Sequence, residues 1–187
     1  MATETFAANG TTKHTTSYYA ASANPAPDRP PLKGDHTIDI CVVGAGYSGL
    51  STALHLAEKG YKVAIIEGAQ VGWGASGRNG GQIVNGLNAS LQTIKKRYGQ
   101  DTANFVAGLV QEGGDIIRDR VKTYDIKCDL KAGNIFVGLT PAHMKELEAR
   151  RALWSSYGIN NQDMLDKTQL RDHIGSDLYE GGMIDHT

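Results

Sequence analysis

A glycine-rich segment that joins a β-branched run to a helical pattern constrains the fold of this chain most. The run at residues 38–43, Ile-Asp-Ile-Cys-Val-Val, is short and apolar, which predicts a buried strand of a parallel sheet. Gly-Ala-Gly-Tyr-Ser-Gly follows at 44–49, and apolar residues then recur at helical spacing up to Gly60. A second apolar run at 61–67 completes the pattern. We therefore predict a right-handed βαβ unit.

The glycine spacing in this unit indicates a nucleotide-binding turn. Gly44 would permit the tight turn from strand to helix, Gly46 would remove a Cβ that blocks a pyrophosphate, and Gly49 would let the helix pack closely on the sheet. The helix amino terminus would offer unpaired N–H groups to phosphates, with the amides of Tyr47 and Ser48 among the donors. The plainer alternative is a Rossmann-like turn that binds no nucleotide.

Glu67 ends the second strand, 21 positions after Gly46. A carboxylate at this place accepts hydrogen bonds from ribose hydroxyls and repels a 2′-phosphate, so it favours FAD or NAD over NADP. A strand-end carboxylate that only faces solvent is the alternative.

A second glycine-rich segment follows at residues 68–86. It shows little helical or strand periodicity, and the chain as a whole has 23 Gly among 187 residues, well above ordinary usage. We expect a shaped loop, alone or leading into a short helix, and long loops of this kind inside domains are usually functional. A cofactor with a large planar ring, approached by bare backbone, would need such a segment. An NAD-dependent Rossmann domain would not.

Taken together, the motifs VVGAGYSGL at 42–50 and GWGASGRNGGQIVNG at 72–86, with Glu67 between them, resemble the amino-terminal part of the D-amino-acid-oxidase-like family of FAD-dependent oxidoreductases. The resemblance extends over nearly the whole chain, for example to SYYAASAN at 17–24 and EGGDIIR at 112–118. It implies an α/β fold, with a Rossmann-like FAD-binding domain followed by the beginning of an α+β substrate domain.

The resemblance also implies roles in the second segment. Ser76 and Arg78 would form a polar pair near the pyrophosphate and flavin, where a guanidinium can make forked hydrogen bonds. Gly80 and Gly81 would let the backbone approach the ring, and Gln82 would line its face together with Ile83. Surface roles stay open for Arg78, Asn79 and Gln82. The full set of expected FAD-binding residues is Gly44, Gly46, Tyr47, Ser48, Gly49, Glu67, Ser76, Arg78, Asn79, Gly80, Gly81 and Gln82.

The activity implied by the resemblance is that of an amine oxidase acting on a polyamine-derived substrate, with dioxygen as oxidant and an aldehyde, ammonia and hydrogen peroxide as products. No catalytic acid or base can be named from the residues. An NAD-binding dehydrogenase domain and a non-catalytic remnant of a flavoprotein are the alternatives. Because the chains of this family are longer, we expect a truncated amino-terminal fragment with weak FAD binding and no oxidase activity.

Three regions divide the chain: an extended arm at 1–34, the FAD-binding unit at 35–100, and a helical segment with an incomplete substrate domain at 101–187. Phe6, Tyr18 and Tyr19 are apolar residues that could anchor the arm, and a disordered tail is the alternative. The remaining expected elements are a helix at 101–124, bent at Gly113-Gly114, strands at 127–130 and 134–138, helices at 141–157 and 167–174, and a strand from 182.

Composition excludes several other classes of function. A net charge of −1 gives no attraction to nucleic acid, and no apolar run approaches the length of a membrane span. Two cysteines without CxxC spacing and scattered histidines predict neither a disulfide framework nor a metal site. We expect a cytoplasmic protein whose Cys41 is buried in the first strand. No feature of the sequence indicates an oligomeric state.

Overall fold

The computed structural model describes residues 14–27, 29–84 and 86–187. These residues fall into two compact units, one up to Gln82 and one from Ile83 onward. Helices and strands, in chain order, are α1 (Tyr18–Ser22), β1 (Ile40–Val43), α2 (Tyr47–Glu58), β2 (Val63–Ile66), a 3₁₀ turn (Ala75–Gly77), α3 (Leu91–Tyr98), α4 (Gln100–Thr123), β3 (Asn134–Gly138), α5 (Pro141–Ser155), β4 (Gln162–Asp166), α6 (Lys167–Arg171) and β5 (Gly181–Asp185).

The first unit contains the predicted βαβ arrangement. β1 and β2 pair in parallel, with Ile40 opposite Val63 and Val43 opposite Ile66. Asp39 fixes the start of this register, because its carboxylate accepts a hydrogen bond from the Lys62 amide at 2.8 Å. The Rossmann-like expectation is confirmed for this part of the chain.

Helix α2 connects the two strands and packs on them. It begins at Tyr47, with Gly46 as its N-cap, and its centre is anchored by the buried Ala53. Gly60 lies just beyond its end with φ +89°, and its amide donates to the Ala57 carbonyl at 2.9 Å. This is the left-handed glycine stop that the sequence predicted.

The burial of β1 differs from the prediction. Cys41 is exposed, and Val43 is 81% exposed. The described part of this unit has a two-stranded sheet covered by α2 on one face, so alternate side chains of β1 point away from the helix. The expectation that Cys41 is buried is therefore wrong.

The amino-terminal arm is not wholly irregular. Tyr18–Ser22 form a short helix, which begins with the Ser17 hydroxyl accepting a hydrogen bond from the Ala20 amide. Tyr18 and Tyr19 are both exposed, and Phe6 lies outside the described residues.

The helical part of the second unit has a core formed by α3, α4, the end of α5 and the turn that follows α5. Helix α3 was not expected from the sequence, although Ser90 provides an ordinary N-cap and accepts from the Thr93 amide at 3.2 Å. Helix α3 packs against α4 within the second compact unit, which starts at Ile83. The core residues are Leu91, Ile94, Ala103, Ala107, Trp154 and Ile159.

The sheet of this unit is antiparallel, in the order β3-β5-β4. Its central strand carries Met183, which is 1% exposed. Strand β4 was missed, since Gln-Asp-Met-Leu-Asp has weak strand propensity and is held in place by its pairing with β5. No strand forms at 127–130, where Asp129 adopts φ +52° and interrupts the extended backbone.

Candidate cofactor-binding site

The glycine turn between β1 and α2 exposes the amino terminus of a helix that has no side-chain cap. Gly44 takes φ +97°, a conformation that favours glycine, and its amide donates to the Ile66 carbonyl at 2.7 Å. Gly46 is the N-cap and has no side chain with which to satisfy the first amides of α2. These amides and the helix dipole make the turn suitable for binding an anion.

Two glycines of the turn are required by close contacts. A Cβ at Gly49 would lie 1.9 Å from the Gly44 carbonyl oxygen, so the helix can approach the turn this closely only without a side chain. A Cβ at Gly46 would lie 2.9 Å from the hydroxyl oxygen of Ser76. The absence of a side chain thus lets α2 approach the turn at Gly49 and lets the Ser76 hydroxyl approach it at Gly46.

Glu67 lies beside the turn. Its carboxylate accepts hydrogen bonds from the Ala45 amide at 2.7 Å and from the Ala69 amide at 2.9 Å. The hydrogen bond from Ala45, more than those from Ala69 and Gly68, lowers the pKa of Glu67 from its ordinary value, although partial burial opposes the shift. The side chain is ionised at neutral pH and still exposed, so it can accept further hydrogen bonds from ribose hydroxyls.

The second glycine-rich segment contacts the turn directly. The Ser76 hydroxyl accepts a hydrogen bond from the Tyr47 amide at 3.0 Å, and the Gly72 amide donates to the Ala45 carbonyl at 3.0 Å. Within the segment, the 3₁₀ turn Ala75–Gly77 is compact, because a Cβ at Gly77 would lie 2.2 Å from the Gly72 carbonyl oxygen. The structure thus brings Ser76 to the amino terminus of α2.

Arg78 lies against its own segment. Its guanidinium carbon is 5.1 Å from the centre of the Trp73 ring, and its Nε donates to the Trp73 carbonyl at 3.3 Å. The side chain is exposed, which leaves its terminal nitrogens accessible to an anion. Trp73 was not singled out in the sequence, although an aromatic residue inside a glycine-rich segment is a usable signal.

Asn79 connects three parts of the site. Its side-chain nitrogen donates to the Tyr47 hydroxyl and to the Ser76 carbonyl, both at 2.7 Å, and its side-chain oxygen accepts from the Gly81 amide at 2.8 Å. The glycine pattern indicates a role only for the backbone amide of Tyr47, and nothing in the sequence points to its hydroxyl.

The remaining expected residues lie at the end of this segment and on α2. Gly81 takes φ +69°, and a Cβ at Gly80 would lie 3.3 Å from the Gln82 side-chain oxygen. Gln82 and Ser48 are both exposed. Ile83, which was expected to face the flavin, is the first residue of the second compact unit.

These contacts fit FAD. A helix amino terminus with glycine as its N-cap, a turn with glycine at 44, 46 and 49, and an ionised carboxylate beside it are the groups that the adenosine diphosphate half of a dinucleotide requires. In the ranges that the structure describes, no group of three or more His, Cys, Asp or Glu side chains could hold a metal ion. No described helix combines the length and the apolar character needed to cross a membrane.

Comparison with known proteins agrees with this geometry. A family model described as FAD dependent oxidoreductase (DAO) matches residues 39–187. Gamma-glutamylputrescine oxidoreductase of Escherichia coli (strain K12) is 46% identical over 176 residues, which is 94% of this chain and 41% of that protein. Probable oxidoreductase OrdL of Haemophilus influenzae is 43% identical over 174 residues, covering 92% of this chain and 40% of that protein.

A solved structure shares the fold. The L-proline dehydrogenase of P. horikoshii superposes with a TM-score of 0.61, covering 79% of this chain and 36% of that one, at 15% sequence identity. At this identity the likeness concerns the fold alone. The chain spans about two-fifths of the length of the curated relatives above, 41% and 40% respectively.

Proposed function

Because the chain belongs to the DAO family of FAD-dependent oxidoreductases, we propose that it forms the FAD-binding part of an amine oxidoreductase. The substrate that we assign is gamma-glutamylputrescine or a related amine, and the assignment rests on 46% identity to gamma-glutamylputrescine oxidoreductase. The overall reaction would convert the amine, dioxygen and water to an aldehyde, ammonia and hydrogen peroxide. Two free cysteines are consistent with a reducing, cytoplasmic setting.

Each part of the site has a role in this proposal. The turn formed by Gly44, Gly46 and Gly49 would hold the pyrophosphate at the start of α2, on the Ser48 amide and, where phosphate replaces the Ser76 hydroxyl as acceptor, on the Tyr47 amide. Bound FAD would supply the acceptor for a hydride, that is two electrons and one proton, from the amine's α-carbon.

The residues around the turn would orient the cofactor. Glu67 would accept hydrogen bonds from the adenosine ribose, and Ser76 with Arg78 would contact phosphate oxygens. Gly80 and Gly81 would admit the flavin ring close to the backbone, with Asn79 and Gln82 alongside.

The observation that carries the proposal is the position of Glu67. Its carboxylate accepts a hydrogen bond from the second residue of the glycine turn, so a ribose bound at Glu67 would lie next to a phosphate bound at the turn. A carboxylate with a lowered pKa remains charged and so disfavours a 2′-phosphate.

Cofactor titration tests the binding step. The purified chain should bind FAD weakly, with one site per chain at saturation, followed by the absorbance of the protein-bound cofactor at about 450 nm, and should bind NAD more weakly still. Gly46→Val should weaken FAD binding by about tenfold or more, since the added Cβ would lie 2.9 Å from the Ser76 hydroxyl oxygen and push Ser76 away from the turn. Gly175→Ala is the matched control, because nothing lies within 4 Å of its added Cβ. Tighter binding of NAD than of FAD would refute the proposal.

The amine assignment needs a second experiment. We would replace the matching segment of the E. coli relative with this chain and measure peroxide release with gamma-glutamylputrescine, putrescine and sarcosine. Retained flavin would show that the hybrid has folded. A hybrid that holds FAD and prefers sarcosine would contradict the polyamine assignment.

A further inference from the structure

The Tyr47 hydroxyl and the Asn79 side chain form a contact that the FAD-binding roles above do not use. They meet at 2.7 Å, and they join residues 32 positions apart in the chain. Tyr47 is the first residue of α2, whereas Asn79 lies in the second glycine-rich segment just after the 3₁₀ turn Ala75–Gly77. The contact therefore ties the loop to the helix amino terminus.

Both the nitrogen and the oxygen of the Asn79 carboxamide make hydrogen bonds in this arrangement. One nitrogen donates to both the Tyr47 hydroxyl and the Ser76 carbonyl, and the oxygen accepts from the Gly81 amide. The end of the segment is thus fixed through Asn79, and the middle is fixed separately by the Ser76 hydroxyl on the Tyr47 amide. Because the Asn79 nitrogen makes both of its hydrogen bonds within the protein, the side chain has no donor left for a ligand and keeps only a lone pair on its oxygen.

A loop of this composition needs such a tie. Glycine loses more conformational freedom on ordering than any other residue, and residues 72–82 contain several glycines with only one short turn among them. If the loop were free until the cofactor arrived, binding would carry the entropic cost of ordering it. Groups that order a loop in advance increase affinity without touching the ligand.

We propose that Tyr47 and Asn79 are positioning residues: they clasp the second glycine-rich segment to the amino terminus of α2 before FAD binds, and so raise affinity for FAD. The role rests on the proposed function, because it concerns the same cofactor. The Tyr47 hydroxyl and the Asn79 carboxamide would thus order the loop in the FAD-free chain. The alternative is a direct contact of Asn79 with the flavin, and it predicts no change of the loop in the FAD-free chain when the Tyr47 hydroxyl is removed.

The test combines two measurements on the full 187-residue chain. The first is the exchange rate of the Gly81 amide proton in the FAD-free chain, by NMR. Tyr47→Phe should accelerate this exchange although Tyr47 does not touch Gly81, because Asn79 loses one of its anchors. Tyr61→Phe, which removes the hydroxyl of another exposed tyrosine in the same unit, is the matched control and should change nothing.

The second measurement is the dissociation constant for FAD. Tyr47→Phe and Asn79→Ala should each raise it by about three- to tenfold, the effect of losing a partly exposed hydrogen bond. The double variant should bind no more weakly than the weaker single variant, because both changes open the same clasp.

Each other outcome overturns the proposal in a recognisable way. A higher dissociation constant for Tyr47→Phe with unchanged Gly81 exchange would assign the hydroxyl to direct FAD contact. Additive effects in the double variant would show independent contacts. If both variants keep the wild-type affinity for FAD, the positioning role of Tyr47 and Asn79 is refuted, while the proposed FAD-binding function stands. A wild-type chain that does not bind FAD would refute the proposed function itself, and the clasp's role with it.

Discussion

At the scale of single residues, the site depends on Glu67 and on the glycines that surround it. Glu67 is held by two backbone amides, and the one from Ala45 belongs to the turn that would hold the phosphates. The same side chain therefore stabilises the turn and offers an acceptor to a nucleotide. These two roles can be separated by pH and by substitution.

Glu67→Gln should make stability less dependent on pH on the acid side. The folded-state pKa of Glu67 lies below its ordinary value, so its contribution is present above about pH 4.3 and is lost as pH falls through the folded-state pKa. The effect should stay below about 1 kcal/mol, because the group is largely exposed. The measurement is the free energy of unfolding by urea, at about five pH values between pH 3 and 7.

Asp35→Asn is the control for this experiment, since it removes one exposed carboxylate elsewhere in the same unit and corrects for net charge. Parallel pH profiles for the wild-type chain and the Glu67 variant would show that the carboxylate does not stabilise the turn.

Gly49→Ala should destabilise the first unit, by roughly 1–3 kcal/mol, because the added Cβ meets the Gly44 carbonyl oxygen at 1.9 Å and backbone must move. Gly108→Ala is the matched helical control: nothing lies within 4 Å of its Cβ, and it should gain about 0.5–1 kcal/mol. Urea unfolding followed by circular dichroism gives both values. A neutral Gly49→Ala would mean that α2 does not need this close approach.

At the scale of elements, strong local patterns gave correct predictions and pairing decided the rest. Helix α5 begins at its proline with Thr140 as a capping residue, as its sequence predicts. Helix α4 runs without interruption from Gln100 to Thr123, through Gly113-Gly114. Strand β4 and the irregular segment at 127–130 were both predicted wrongly, because short polar runs become strands only where a partner strand accepts them.

Strand β5 is the element on which the antiparallel sheet depends, since it pairs with both β3 and β4. Met183→Ala on this strand should cost about 2–5 kcal/mol, because the side chain is fully buried and leaves a cavity. Urea unfolding followed by fluorescence in a Trp73→Phe background reports on the buried Trp154 of the same unit.

Leu178→Ala removes a side chain that is 75% exposed in the same unit, and it should stay within about 0.5 kcal/mol of the wild-type value. Equal costs for the two variants would show that Met183 does not anchor the sheet.

At the scale of the whole molecule, the expected cofactor-binding residues and the antiparallel sheet lie in different compact units. The twelve expected FAD-binding residues from Gly44 to Gln82 belong to the first unit, whereas Ile83 begins the second unit, which contributes an antiparallel sheet with its own helices. The domain ranges 1–34, 35–100 and 101–187 remain predictions, although α3 packs within the second unit. The family match over residues 39–187 spans both units.

The sequence by itself determined the βαβ unit, its glycine turn and the identity of the family. Glycine positions, strand hydrophobicity and the distance to Glu67 are local properties, and they survive without knowledge of any long-range contact. Only the tertiary structure decided that Ser76 reaches the Tyr47 amide, that Asn79 reaches the Tyr47 hydroxyl and that Cys41 is exposed. Those facts depend on how a loop with little regular structure folds back on a helix and on which face of a sheet is covered, and neither leaves a periodic pattern in the chain.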